Sequence, residues 1–541
     1  MRRRYTISKP SSRGRTFQEY VQELLNRGSG SVQLKKGAPV RIALVYPNRY
    51  DVGMASLGFQ TVYRLFNQHP EVVCERAFFY EAPFDREIRT LESGRRLNTF
   101  DIVGFSLSFE LDLLNVIRLL IQSRIPLFAK DRGEKDPLII VGGVVASLNP
   151  SPLLPFVDGL LAGEGEGLFR EIADIFFRLK QSKKHREQIL KALSEMDGFF
   201  VPALNSVVKR RFLPSLEAYP SYTPIITPLS HFENMFVVEV GRGCTRGCFF
   251  CAVQKVYHPY RFRSVASIIE TVARWNPGAH RVGLEGAGLS DYPGLEELCG
   301  TLVNMGYEVS FSSIRADRVT PELVRTLKEG GVRSFTIAPE AGSERLRQRI
   351  GKGIKDSILW DVVALLKDSS VGVLKLYFLI GLPGEEDEDV EAIVELVREL
   401  ANIFTMREKG KRIRLSVNAF VPKPFTEFQW APMATERELS RKRRMIRQGL
   451  KGKRGIAIVP KSSRNEVLQG VLSQGDSRVG YAMADVVEKG MAWKRALKER
   501  GIDIVKLLHQ EKHFESELPW DFIVSEISKE QLWGRYRKVC L

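Results

Sequence analysis

A chain of 541 residues, 44% of them hydrophobic, is long enough for about three domains, each with a buried core. Six cysteines without disulfide-framework spacing exclude a small secreted disulfide module and point to a reducing cytoplasm; the longest apolar run, Leu138 to Leu148, is too short to cross a bilayer. A net charge of +17 favours polyanionic partners without requiring nucleic acid.

Residues 1–37 read as a basic surface arm with one short helical pattern (Phe17, Tyr20, Val21, Leu24, Leu25). Met1-Arg2-Arg3-Arg4 is basic, but no apolar segment follows it as a secretory signal requires. From residue 38 to about 196, apolar runs at 40–46, 72–79, 102–107, 138–141 and 157–161 alternate with helical patterns at 57–66, 111–121 and 171–193. That alternation predicts a doubly wound, flavodoxin-like α/β domain, with any ligand just outside the carboxyl ends of its strands. Small residues fall at two of those ends, Gly142-Gly143 and Gly163-Glu164-Gly165-Glu166. A proline-dotted stretch, 197–231, reads as a linker lying on the surface.

Residues 232–434 repeat strand and helix six times, which predicts a partial parallel (β/α)6 barrel whose chemistry sits at its carboxyl-end loops. Its first strand runs into Gly241-Arg242-Gly243-Cys244-Thr245-Arg246-Gly247-Cys248-Phe249-Phe250-Cys251, so half of the chain's cysteines lie within eight residues. Thiolates are the usual ligands of iron in clusters, and one short loop can bring three of them to one small object. A cluster held fully by protein takes four thiolates, so three leave a position open, the general mark of a working metal site. Two other readings of the loop are a Cys3His zinc site completed by His258 and three packed thiols without metal. Polar clusters follow the later strands: Glu285-Gly286-Ala287-Gly288, Ser312-Ser313-Ile314-Arg315, Pro339-Glu340-Ala341-Gly342-Ser343-Glu344-Arg345 and Leu379-Ile380-Gly381-Leu382-Pro383-Gly384-Glu385.

The C-x3-C-x2-C loop resembles the signature of radical S-adenosylmethionine (radical SAM) enzymes. That resemblance implies a [4Fe-4S] cluster on Cys244, Cys248 and Cys251 whose open iron binds S-adenosyl-L-methionine and whose electron cleaves it to a 5'-deoxyadenosyl radical. It further implies cofactor contacts from Phe250, Gly286, Gly288, Ser312, Glu340, Ser343, Ile380 and Gly381, with Arg315 or Arg345 on the carboxylate. The strand-two match is loose, because Gly-Gly-Glu is absent. Residues 38–180 resemble the cobalamin-binding domain that precedes many radical SAM barrels, with Gly142 and Gly143 lining the corrin. Where that domain carries D-x-H-x-x-G, this chain has Asp51-Val52-Gly53-Met54-Ala55-Ser56, so no histidine of that loop holds cobalt. A doubly wound domain used only for interaction is the alternative.

From Thr435 to the end, the composition suggests a small, mainly helical basic region, with eleven Lys or Arg against one acidic residue between Arg437 and Arg464. Such runs are solvated faces or RNA-binding surfaces. The Tyr-Pro-Asn-Arg-Tyr-Asp-Val-Gly-Met, Ala-Pro-Glu-Ala-Gly-Ser-Glu-Arg and Leu-Pro-Trp-Asp-Phe-Ile segments resemble a family of bacterial cobalamin-domain radical SAM proteins of largely unassigned substrate. The family implies a cytoplasmic enzyme reduced by an external flavodoxin or ferredoxin, with methyl transfer to an unactivated carbon if cobalamin binds. Without cobalamin, rearrangement, cyclisation or sulfur insertion follow, the last disfavoured by the lack of a second cysteine cluster. A metal-bearing RNA-binding module and a corrinoid carrier with a vestigial barrel are the rival readings.

Overall fold

The computed structural model describes residues 16–35, 37–80, 88–180, 182, 184–311, 313–405 and 410–540. Six strands form the first sheet: β1 (Val40–Tyr46), β2 (Val72–Phe78), β3 (Ile102–Ser106), β4 (Leu138–Gly142), β5 (Gly159–Leu161) and β6 (Phe199–Phe200). Their order is β2-β1-β3-β4-β5-β6, parallel except for the antiparallel β5–β6 pair. The chain reverses direction across the sheet between β1 and β3, the crevice where doubly wound sheets take ligands. β1 is buried at six of its seven positions, as expected of a strand covered on both faces. Ser56 starts the helix Leu57–Gln68 by accepting a hydrogen bond from the Phe59 amide.

The sequence suggests one charged helix over 171–193; the structure has two, Leu168–Leu179 and His185–Ser194. The second returns the chain to β6, an antiparallel strand too short to show a pattern.

The linker differs more. Residues 221–227 are buried rather than spread on the surface. The first barrel strand, Met235–Glu239, lies at the edge of its sheet, and an edge leaves backbone groups unpaired. Residues 221–223 fill that edge: the Thr223 amide donates to the Val237 carbonyl (3.0 Å) and the Glu239 amide to the Ser221 carbonyl (2.9 Å).

Among the described residues, seven parallel strands follow in two ladders. Met235–Glu239, Arg281–Glu285 and Glu308–Phe311 make the first; Ser334–Glu340, Val373–Ile380, Arg412–Ala419 and Ile456–Ile458 make the second. A 3.3 Å bond from the Ile314 amide to the Thr336 carbonyl links the end of the first ladder to the start of the second. Beyond it, Ser290 Oγ holds the Arg315 amide and a turn begins at Ala316. The β/α alternation also runs past residue 435, since the helix Glu436–Gly449 precedes the seventh strand.

The C-terminal segment packs back onto the first sheet's domain. The helix Ser477–Lys489 lies so close to residues 151–156 that a Cβ on Gly480 would stand 2.2 Å from the Pro152 carbonyl oxygen. Asn149 donates to the Ser473 and Gly475 carbonyls (3.1 and 2.8 Å), and Ile523–Val524 pairs with Val208–Lys209. Its basic residues are partly neutralised: Arg441 is paired with Asp387, Lys442 with Glu385 and Arg443 with Glu466. No described helix is long and apolar enough to cross a membrane.

Candidate functional site

A cavity of about 660 Å³ lies where the carboxyl end of the first sheet faces the first two barrel strands. One wall is the apolar face of that sheet (Ile42, Leu44, Ile102, Ile140) with Gly142, Gly143 and the Gly163–Glu166 turn; the opposite wall is Gly241–Gly243 and Glu285–Ala287. The cavity therefore ends on the residues that lead directly into Cys244.

Buried ion pairs join the two walls. Arg261 forks onto Glu164 (2.9 and 2.8 Å), and Arg242 binds Glu166 and Glu239 (2.6 Å from Nε to Glu239). Arg263 reaches Glu239 at 2.7 Å. Burial alone would raise the Glu239 carboxyl, but the Arg242 and Arg263 guanidiniums hold it below the usual carboxylate range. The planar Arg261 fork on Glu164 and the single Arg242 bond to Glu166 tie the two walls together as well as neutralising buried charge.

Glu285 stands beside Glu239 on the neighbouring strand. Its side chain is accessible to solvent, but that surface belongs to the cavity wall, where water is confined. Desolvation, and then the Glu239 charge, push its carboxyl up to about 7. A carboxyl raised in the folded state makes folding most favourable while protonated, and that contribution is lost as pH climbs from the unfolded value, about 4.3, to about 7. Glu285→Gln should therefore match wild type in thermal midpoint below about pH 4.3 and exceed it increasingly from there to about pH 7, read by thermal denaturation across pH.

The cysteine loop is held on three sides. Thr245 Oγ1 and Arg246 Nε donate to Asp291 (2.9 Å each), the Phe249 amide donates to the Ile350 carbonyl (3.0 Å), and the Phe249 carbonyl accepts from the Phe428 amide (3.2 Å). The Arg246 amide donates to Cys244 Sγ (3.4 Å). Burial raises the Cys248 thiol, and burial followed by the Cys248 and Cys244 charges pushes that of Cys251 up to about 11. Thiols this reluctant to ionise need a cationic centre among them to become thiolates. Among the described residues, no three His, Cys, Asp or Glu side chains converge tightly enough to share one metal ion, and His258 is exposed. The single-ion Cys3His arrangement is thus not assembled, while a cluster spreads its ligands over several iron atoms. Gly243 has φ +86°, and a Cβ there would meet the Tyr257 carbonyl oxygen at 2.5 Å. Gly243→Ala should cost about 1–3 kcal/mol of backbone strain and lower the iron retained per chain, measured by thermal denaturation and metal analysis.

The other residues singled out from sequence fall into three groups. Gly142, Gly143 and Gly286 line the cavity. Near the cysteines, Gly288 lies under Tyr260, whose hydroxyl donates to its carbonyl (3.1 Å), and Phe250 is half-buried. Glu340 sits there too, with φ 73° at a ladder irregularity and its carboxylate 3.6 Å from Lys352 Nζ. Cys248 senses Lys352, Arg315 and Glu340 in that order. Burial raises the Glu340 carboxyl against the opposing pull of Lys352. The last group is occupied elsewhere: Arg315 forks onto Asp317 (2.9 and 3.1 Å), while Ser343 and Arg345 both bond Asp389. Ile380 is buried, Gly381 donates its amide to Glu385 (2.6 Å), and Ser312 lies outside the described residues. Lys352 and His231 carry no local signal in the sequence, and Glu285 and Arg242 stand in the strand-end segments without a role that their position assigns.

Two family models match the chain: radical SAM proteins, N-terminal, over residues 58–202, and the radical SAM superfamily over residues 238–397. An uncharacterized protein of Methanocaldococcus jannaschii is 29% identical over 81% of this chain and 89% of its own length. An uncharacterized methyltransferase of Pyrococcus horikoshii is 23% identical over 49% of this chain and 59% of its own. Ribosomal protein uS12 methylthiotransferase RimO of Clostridioides difficile is 24% identical over 49% of this chain and 56% of its own. Among solved structures, the radical S-adenosylmethionine methyltransferase TsrM of Kitasatospora setae, with cobalamin and a [4Fe-4S] cluster bound, aligns with a TM-score of 0.49 at 12% identity, over 86% of this chain and 98% of that one. The two model matches, bracketing the linker and enclosing the three-cysteine loop, identify the chain as a radical SAM enzyme of the radical SAM superfamily.

Proposed function

We propose that this enzyme is a cobalamin-dependent radical SAM methyltransferase acting on an unactivated carbon, with its first sheet as the cobalamin-binding domain and its two parallel ladders as the partial barrel. The observation that carries the reading is the cavity: a cofactor on the carboxyl end of the first sheet would face the residues leading into the cysteine loop. The sheet-side wall suits a corrinoid, because it is apolar along the strands and reduced to backbone at Gly142 and Gly143. Three thiols coupled through their charges suit a cluster with one open position.

When bound, the cluster with S-adenosylmethionine supplies a 5'-deoxyadenosyl radical and cobalamin supplies a methyl group. The protein's own part is to bind, orient and exclude water. Cys244, Cys248 and Cys251 would hold the cluster. Glu340 and Lys352, 3.6 Å apart beside it, offer an acceptor for an ammonium and a donor for a carboxylate, the two charges of the methionine end. Arg242 and Arg261 keep the two cofactor platforms in register through Glu166 and Glu164.

An RNA or ribonucleoprotein substrate draws support from the +17 charge and from the ribosomal protein uS12 that the Clostridioides difficile relative is named for modifying. The pairing of Arg441, Lys442 and Arg443 argues against the helix Glu436–Gly449 as an open cationic face. The reading is tested by anaerobic expression with hydroxocobalamin, followed by cobalt and iron analysis. Stoichiometric cobalt together with a cluster is expected; an iron-loaded protein devoid of cobalt would remove cobalamin and leave a radical rearrangement or cyclisation.

A further inference from the structure

The loop after β1 lacks the histidine that a cobalt-ligating loop would carry, but the structure brings one to the same place from the linker. His231 Nε2 lies 3.1 Å from Asp51 Oδ2, and the His231 backbone amide donates to the Asp51 carbonyl, also at 3.1 Å. Asp51 is itself gripped by Arg49 through both carboxylate oxygens (3.0 and 2.6 Å), so the acceptor is fixed. The linker turn is built as well. The Asn234 amide closes it onto the Thr227 carbonyl (3.0 Å), and the Ser230 hydroxyl accepts from the Phe232 amide (3.2 Å).

His231 and Phe232 both line the cavity, and the Phe232 ring is 41% exposed. Among the described residues of that wall, His231 is the single imidazole, and no cysteine, methionine or lysine accompanies it. Met54, in the β1 loop itself, is buried with its sulfur accepting from Arg76 (3.3 Å). With Nε2–H donated to Asp51, the ring keeps a lone pair on Nδ1, which makes no hydrogen bond among the described residues. A carboxylate that fixes the tautomer of an imidazole, leaving its other nitrogen basic, is the usual second partner of a metal-bound histidine.

We propose that His231, oriented by Asp51, is an axial ligand to the cobalt of a corrinoid in this cavity: a ligand pair assembled from the β1 loop and the interdomain linker. The inference rests on the cobalamin reading above. An apolar ring beside the imidazole fits the edge of a large flat macrocycle, and the interdomain position makes the ligand dependent on both domains being docked.

The test uses the full-length protein, its affinity tag removed, expressed in a histidine auxotroph with ¹⁵N-histidine or unlabelled histidine. It is loaded with hydroxocobalamin, reduced to the Co(II) state with titanium(III) citrate, and examined by electron paramagnetic resonance. The expected result is a nitrogen superhyperfine triplet that becomes a doublet with the label and disappears in His231→Ala, with Asp51→Asn altering the splitting. A triplet indifferent to the label means that the corrinoid's own base is the ligand, and absence of nitrogen splitting means that none is present; either overturns the proposal. The wild-type label experiment stands even if a variant misfolds. Absorbance and cobalt content separate the two levels: retained corrinoid without histidine splitting overturns only the ligand, whereas no retained corrinoid overturns the cobalamin reading as well.

Discussion

Cys251→Ala, reconstituted anaerobically with iron and sulfide, should form no 5'-deoxyadenosine above background when given dithionite and S-adenosylmethionine. The loss should exceed the ~10–100-fold that removal of a mere outer partner of a metal ligand produces. The reason is geometric. Cys251 is one of three thiols carried on a single loop pinned at Asp291, Ile350 and Phe428. Iron content should fall in parallel. Near-normal turnover by the variant would show that the iron is held elsewhere.

The second large effect concerns the seam between the domains. Glu164→Ala should destabilise the protein by about 3–5 kcal/mol, because it strands buried guanidinium charge. Arg261 would lose both oxygens of its fork, Arg242 a neighbour at 3.5 Å and the Leu213 amide its acceptor at 2.7 Å. Thermal denaturation reads the loss. A double change of Glu164 and Arg261 to apolar residues of similar volume should recover much of it, since removing both charges leaves neither unpaired. A single variant as stable as wild type would mean that the seam is solvated and carries no such load.

Much of the candidate site was visible in the sequence because its signals are local. The cysteine spacing sits in one loop, and the strand-end clusters follow from the alternation of apolar runs, so Cys244, Cys248, Cys251, Gly142, Gly143 and Glu340 each stand out in the sequence. What the sequence hid depends on residues far apart in the chain. The Glu164–Arg261 fork, the Asp51–His231 pair and the closeness of Lys352 to Glu340 have no periodicity to betray them; only the tertiary fold puts them side by side. The linker misled for a related reason. Its prolines suggested a surface path, but the edge of the Met235–Glu239 strand needed backbone partners, and that demand belongs to the sheet rather than to the linker's own composition. Arg315 and Arg345 show the converse: a guanidinium near the right loop looks available in sequence, and the structure engages it with Asp317 or Asp389.

The measurement that bears most directly on the radical chemistry is electron paramagnetic resonance of the anaerobically reconstituted, dithionite-reduced protein, before and after addition of S-adenosylmethionine carrying ¹⁵N or ¹⁷O in its methionine moiety. A reduced [4Fe-4S] signal that shifts on addition and shows hyperfine coupling to the label is the predicted result. A cluster signal indifferent to the cofactor, or zinc in place of iron on the three cysteines, would contradict it.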